Sequence, residues 1–196
     1  MLNSLKHCVF ASVLLALTSG LANASSVIVN VDAQWQYWSY HYSPIPLDAG
    51  TYQINPIGIS EGGVYNSWNA WGAGETSGCD QNGICDRGYL NSYSFGYVDA
   101  GGSVHEIATI GGSVVEGTAQ AYQNQFLALA HSQSYLFTLT SPTSLYFYLR
   151  DGESWYGDNV GGMSLSIQTV PAPPVSILLL TALGLLGLSK RFGKEV

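Results

Sequence analysis

The sequence predicts an all-β domain built as an antiparallel β-sandwich, and its patterning supplies the reasons. Short runs rich in β-branched and aromatic residues recur along the chain, and residues 27–33 alternate on the period of two that a strand requires. Gly-Gly pairs at Gly62-Gly63, Gly101-Gly102 and Gly111-Gly112 separate such runs at turn-like spacing. Only residues 119–131 could be helical, and their pattern is ambiguous.

Residues 1–24 read as an address rather than as part of the fold. Lys6 supplies a positive start, residues 8–17 form an apolar segment interrupted only by Ser12, and Ala22-Asn23-Ala24 is a small-x-small cleavage signature. The apolar segment falls short of the ~20 residues that a bilayer span needs. The sequence therefore predicts a signal peptide, export, and a mature chain that begins at Ser25. A single domain is expected over residues 25–169, about 145 residues and enough for a real core. Strands are predicted at 27–33, 52–59, 93–98, 104–110, 134–140, 144–149 and 163–169.

Between Ser25 and Gln168 only Arg87 and Arg150 are basic, against twelve Asp and Glu. That balance argues against nucleic acid and against an anionic membrane surface as partners, and it suits cations and neutral ligands. Tyr and Trp are abundant and Lys is absent from the domain. Aromatic faces can stack on sugar rings, although burial in a core is the commoner fate of each one. Cys8 leaves with the signal peptide, so Cys79 and Cys85 remain, closing the short loop Asp80-Gln81-Asn82-Gly83-Ile84. An even pair in an oxidising compartment predicts a disulfide. A zinc site would need further ligands close by, and His41, His105 and His131 are remote in sequence.

The far end, residues 170–196, carries a second address. Val170-Pro171-Ala172-Pro173-Pro174 is a stiff spacer, residues 175–188 are almost uninterrupted Ile, Leu, Val, Ala and Gly, and Lys190, Arg191 and Lys194 follow. These parts predict a membrane helix at 175–188 with its basic end cytoplasmic. Their order resembles the PEP-CTERM sorting signal of Gram-negative bacteria, except that Pro171-Ala172-Pro173 lacks the central Glu. The resemblance implies an exosortase-type sorting machinery as partner, membrane attachment before processing, and a cell-surface or exopolysaccharide destination. A plain C-terminal anchor explains the same residues.

The chemistry-bearing stretch runs from Tyr148 to Gly162, where Asp151, Asp158 and Asn159 sit in one glycine-punctuated loop. Hard cations such as calcium take several oxygen ligands, mixing carboxylate, amide and backbone carbonyl, and glycine permits the turns that wrapping an ion requires. The simpler reading is turn chemistry between two hairpin strands.

Tyr65 and Trp71-Gly72, combined with Asp151-x-x-x-Trp155-x-x-Asp158-Asn159 and the Gly-rich strand that follows, resemble the PA-I galactophilic lectin family. The resemblance covers most of residues 27–168, with its specific motifs in these two loops. It implies a jelly-roll, galactose-binding-lectin-like sandwich that binds a galactoside through Ca2+. It further implies side-chain ligation by Asp151, Asp158 and Asn159, and backbone ligation by the carbonyls of Tyr65 and Trp155. Asp158 stands where the family has Asn, which adds a second carboxylate. For the carbohydrate itself the resemblance implies Tyr65, Trp71, Asn82, Asp151 and Asn159. Asn82 falls at the place of a sugar-contacting Gln, whereas Cys79 falls at that of a His, which a disulfide-bonded cysteine cannot replace. Tyr65, Trp68, Trp71, Trp155 and Tyr156 are candidate stacking platforms. The family also implies a homo-oligomer, since weak single-site sugar binding gains from multivalency.

Three functions follow from these features. The first is calcium-dependent carbohydrate binding at the envelope or in the exopolysaccharide matrix. The second is a structural matrix protein whose calcium loop only stabilises it. The third is an enzyme, the weakest, since paired carboxylates such as Asp151 with Asp158 or Glu61 with Glu75 have no readable geometry, and the domain has no Gly-x-Ser-x-Gly elbow. The expectation is a binding protein, not an enzyme.

Overall fold

A computed structural model of the chain describes residues 26–34, 44–152 and 156–171. The predicted signal peptide, the predicted membrane helix at 175–188, the sorting signal from residue 172 onward and Trp155 lie outside the described residues. No helix among the described residues is long and apolar enough to cross a membrane.

The described residues are mostly β-strand, and all the strand pairs among them are antiparallel. Its strands are β1 (Ser26–Asp32), β2 (Ile45–Leu47), β3 (Gly50–Ile57), β4 (Trp68–Asn69), β5 (Ile84–Cys85), β6 (Tyr89–Leu90), β7 (Tyr93–Val98), β8 (Val104–Ile110), β9 (Ala121–Tyr122), β10 (Tyr135–Leu139), β11 (Thr143–Tyr148) and β12 (Val160–Thr169). An eight-stranded sheet runs in the order β10-β3-β12-β4-β6-β9-β5, with β1 also on β12, and a four-stranded sheet runs β2-β11-β7-β8. A helix, α1 (Gln125–Ala130), is capped by Asn124, whose side-chain oxygen accepts from the backbone N–H groups of Phe126 and Leu127 at 3.1 and 2.9 Å.

The two sheets meet through aromatic rings. Phe95 of β7 lies 5.6 Å from Phe147 of β11 in its own sheet, and 5.1 Å from Phe137 of β10 in the other. Val31, Ile54, Leu145, Met163, Leu165 and Ile167 complete this core. The alternation read in residues 27–33 places Val29 and Val31 inward. Along β12, Met163, Leu165 and Ile167 are buried, and so are Ser164 and Ser166 on the opposite face. The segment after β3 folds over that face: Ser164 Oγ accepts from the backbone N–H groups of Val64 and Tyr65 at 2.9 Å each and donates to Asn30 Oδ1 at 2.7 Å.

Two consequences position the candidate site. First, β11 and β12 belong to different sheets, so the Asp151–Asn159 loop is a crossover at one end of the domain and not a hairpin turn. Second, β12 pairs with β4 immediately after that loop, Val160 opposite Asn69 and Gly161 opposite Trp68. Gly161 has φ +83°, and a Cβ there would meet the Ser67 carbonyl at 2.5 Å, so this sharp entry into β12 requires glycine.

Candidate cation and ligand site

The loop is tied down at both ends. Tyr148 donates its hydroxyl to Glu106 Oε2 at 2.6 Å, and Arg150 reaches Glu116 at 3.1 Å and Glu106 at 3.7 Å, anchoring the exit of β11 to β8 and the loop beyond it. Tyr156, buried, donates its hydroxyl to the Asp151 backbone carbonyl at 3.0 Å. A short 3₁₀ turn over Tyr156–Asp158 then delivers Asp158 and Asn159.

Asn159 is fully buried. Its Nδ2 donates to the Ala33 carbonyl at 2.9 Å, and its backbone carbonyl accepts from Gln34 Nε2 at 3.0 Å. A carbonyl only accepts, so the amide cannot be turned over, and Oδ1 faces away from Ala33. That Oδ1 has no hydrogen-bond partner. Asp151 is 7% exposed; its Oδ1 accepts from the Gly152 N–H at 2.7 Å, while its buried Oδ2 makes no close hydrogen bond. Burial pushes the Asp151 carboxyl above its ordinary pKa and the charge of Asp158 adds to this, against the opposing effects of the Gly152 N–H and the Asn159 side chain. No Lys, Arg or His among the described residues forms an ion pair with Asp151 or Asp158. Leaving a buried acceptor unsatisfied costs about 1–3 kcal/mol, so two such oxygens beside a further carboxylate call for a donor or a cation.

Asp151 and Asp158 line a pocket of about 330 Å³ together with Ala70, Trp71, Gly72, Glu75, Arg87 and Val114. Its second wall is built by Asn69. This buried residue accepts from the Trp71 N–H at 2.8 Å and donates from Nδ2 to the Glu75 carbonyl at 3.0 Å, clamping the turn over Gly72–Gly74. Gly72 faces Asp158, and a Cβ there would lie 3.7 Å from Asp158 Oδ2. The side-chain ligands on the Asp151 side of the pocket are oxygens: the Asp151 and Asp158 carboxylates in its lining and the buried Asn159 amide that adjoins Asp151. Hard cations take such sets, whereas zinc favours nitrogen and sulfur. Among the described residues no cluster of three or more His, Cys, Asp or Glu forms.

The structure thus brings Asp151, Asp158 and Trp71 into one pocket, with buried Asn159 next in sequence to Asp158. It places Tyr65 elsewhere. Tyr65 donates its hydroxyl to Asp32 Oδ2 at 2.8 Å, its ring covers Gly162, and it is not among the residues lining the pocket. Asn82 is exposed in the loop closed by the Cys79–Cys85 disulfide, where its backbone N–H and its side chain both turn onto Asp80 at 2.8 and 3.3 Å. It does not line the pocket either. Two candidate stacking platforms are core residues instead. Trp68 is fully buried with Nε1 donating to the Ser92 carbonyl at 2.9 Å, and Tyr156 is buried as described. Of the carboxylates considered for acid–base roles, Glu61 accepts from the Gly58 N–H at 2.9 Å within its own turn. Glu75 reaches the pocket, paired with Arg87 at 3.6 Å.

Sequence reasoning did not single out Asn69, Glu75 with Arg87 as neighbours, or Val114. The spacing Asn69-x-Trp71 was visible, but nothing in the sequence showed that a two-residue strand would set it against Val160. No protein-family model, no curated protein and no solved structure matches the chain.

Proposed function

We propose that the chain is a non-catalytic, calcium-dependent carbohydrate-binding protein, exported and sorted to the envelope or exopolysaccharide of a Gram-negative bacterium. The observation that carries this reading is the pair of buried acceptor oxygens that make no close hydrogen bond, Asp151 Oδ2 and Asn159 Oδ1, with Asp151 and Asp158 both lining one pocket. Bound calcium supplies the positive charge that these oxygens lack and leaves coordination positions that two sugar hydroxyls can take from water. The chain's own part is to hold the oxygens in place: Ala33 fixes the Asn159 amide, Tyr156 fixes the Asp151 backbone, and Asn69 fixes the facing wall.

The resemblance to PA-I galactophilic lectins supports the jelly-roll assignment and galactoside as the first ligand to try. The C-terminal likeness to a PEP-CTERM signal supports the destination, and the family analogy supports a homo-oligomer. A second reading, calcium binding for stability alone, draws on one observation: the loop is the crossover between the two sheets, so an ion there would brace them. A glycan array probed with the full-length chain, with and without millimolar calcium, separates the two. Calcium-dependent glycan signals support the lectin reading, and a blank array with calcium present leaves the bracing role.

A further inference from the structure

We infer that Glu75 and Arg87 form a second arm of this pocket that selects a neutral sugar residue, bridging two of its hydroxyls and disfavouring an acidic sugar; the inference rests on the calcium-and-sugar reading above. Both side chains line the pocket that Asp151 and Asp158 line. They are 51% and 53% exposed respectively, and their closest approach is 3.6 Å, longer than a hydrogen bond. Such an exposed pair contributes little to stability, and both groups keep hydrogen-bonding capacity towards a ligand.

The backbone beneath them is held much more firmly. The Glu75 carbonyl is fixed by Asn69 Nδ2, and Arg87 pairs with Ser77 through bonds of 3.1 and 3.2 Å in both directions. The Cys79–Cys85 disulfide closes the hairpin between those two positions. An acceptor and a donor therefore stand side by side in the pocket lining on a firmly held backbone. A carboxylate accepts a hydrogen bond from one sugar hydroxyl while the guanidinium donates to the oxygen of its neighbour, and the fork geometry of arginine suits such a pair.

Charge decides which class of sugar fits. With a divalent ion on Asp151 and Asp158, the remaining charged lining groups are Glu75 and Arg87, which cancel. A neutral hexose enters at no electrostatic penalty. A uronate carboxylate would face Glu75 and compete with it for the one guanidinium present.

The test uses the full-length chain and three titrations: calcium alone, then methyl pyranosides of galactose, glucose and mannose in saturating calcium, then the corresponding uronates. The expected result is calcium binding that stays within about threefold in Glu75→Gln and Arg87→Met, with the affinity for the bound neutral sugar falling about tenfold or more in each. The uronate of that sugar binds the unaltered protein about tenfold more weakly, and Glu75→Gln narrows the gap. Unchanged neutral-sugar affinity in both variants, or preference for the uronate, overturns the inference while leaving the calcium site standing. Absence of calcium binding in the unaltered protein overturns the underlying reading instead. Calcium binding with no sugar of either class removes the saccharide reading and this inference with it.

Discussion

The Ala33 carbonyl fixes the orientation of the Asn159 amide. The 2.9 Å bond from Asn159 Nδ2 to Ala33 leaves Oδ1 with no choice of direction and no donor to meet. Removing the side chain strands the buried Ala33 carbonyl and, on the proposed reading, deletes an ion ligand. Asn159→Ala is expected to lose about 1–3 kcal/mol in urea unfolding with chelator present, and calcium affinity about tenfold or more. Chelator stability equal to that of the unaltered protein would show that the Ala33 bond contributes nothing.

Calcium affinity should fall as the solution is acidified. The Asp151 carboxyl is held above its ordinary range, chiefly by burial. Without the ion, the folded chain therefore takes up a proton at higher pH than the unfolded chain does. Its stability falls as pH rises through that raised pKa, because the native state must then bury a charge. Calcium needs the carboxylate, so its affinity moves the other way, rising with pH through the same window and releasing protons on binding. Calorimetry in two buffers of different ionisation enthalpy, between pH 4.5 and 7, measures both effects. Asp151→Asn should flatten the dependence; a profile equally steep in that variant assigns the proton to another group.

Asn69 organises the wall through its bonds to the Trp71 N–H and the Glu75 carbonyl. Asn69→Leu leaves the Trp71 N–H and the Glu75 carbonyl without their partner, at an expected cost of about 1–3 kcal/mol. The reading predicts that sugar affinity drops further than calcium affinity, because Glu75 and Trp71 lose their anchor while Asp151 and Asn159 keep theirs. Parallel losses of the two affinities would instead indicate a general loosening of the domain.

Much of the fold was legible because its longer strands carry the period-two signal. The predicted 93–98 and 104–110 coincide with β7 and β8, and 134–140 and 52–59 fall within two residues of β10 and β3. Four strands of two residues each, β4, β5, β6 and β9, were not legible, since two residues have no period. Within 119–131, that left Ala121–Tyr122 hidden and the helix confined to Gln125–Ala130. The Asp151–Asn159 loop stood out by composition, yet the hairpin alternative for it failed because strand pairing between sheets is non-local. The facing wall was the hardest part. Tyr65 and Trp71 are both aromatics in an Asn- and Gly-rich segment, and only the β4–β12 register puts Trp71 at the pocket and Tyr65 over Gly162. Trp68 and Tyr156 look like platforms by residue type and are core by position. The Cys79–Cys85 disulfide, read from an even cysteine pair, is present.

The central claim is that Asp151 and Asp158 hold calcium, and isothermal titration of calcium into the chelator-stripped full-length chain tests it most directly. The account predicts saturable binding at one site per chain that disappears in the double variant Asp151→Ala, Asp158→Ala. No saturable binding in the unaltered chain, or an unchanged titration in the double variant, would contradict it.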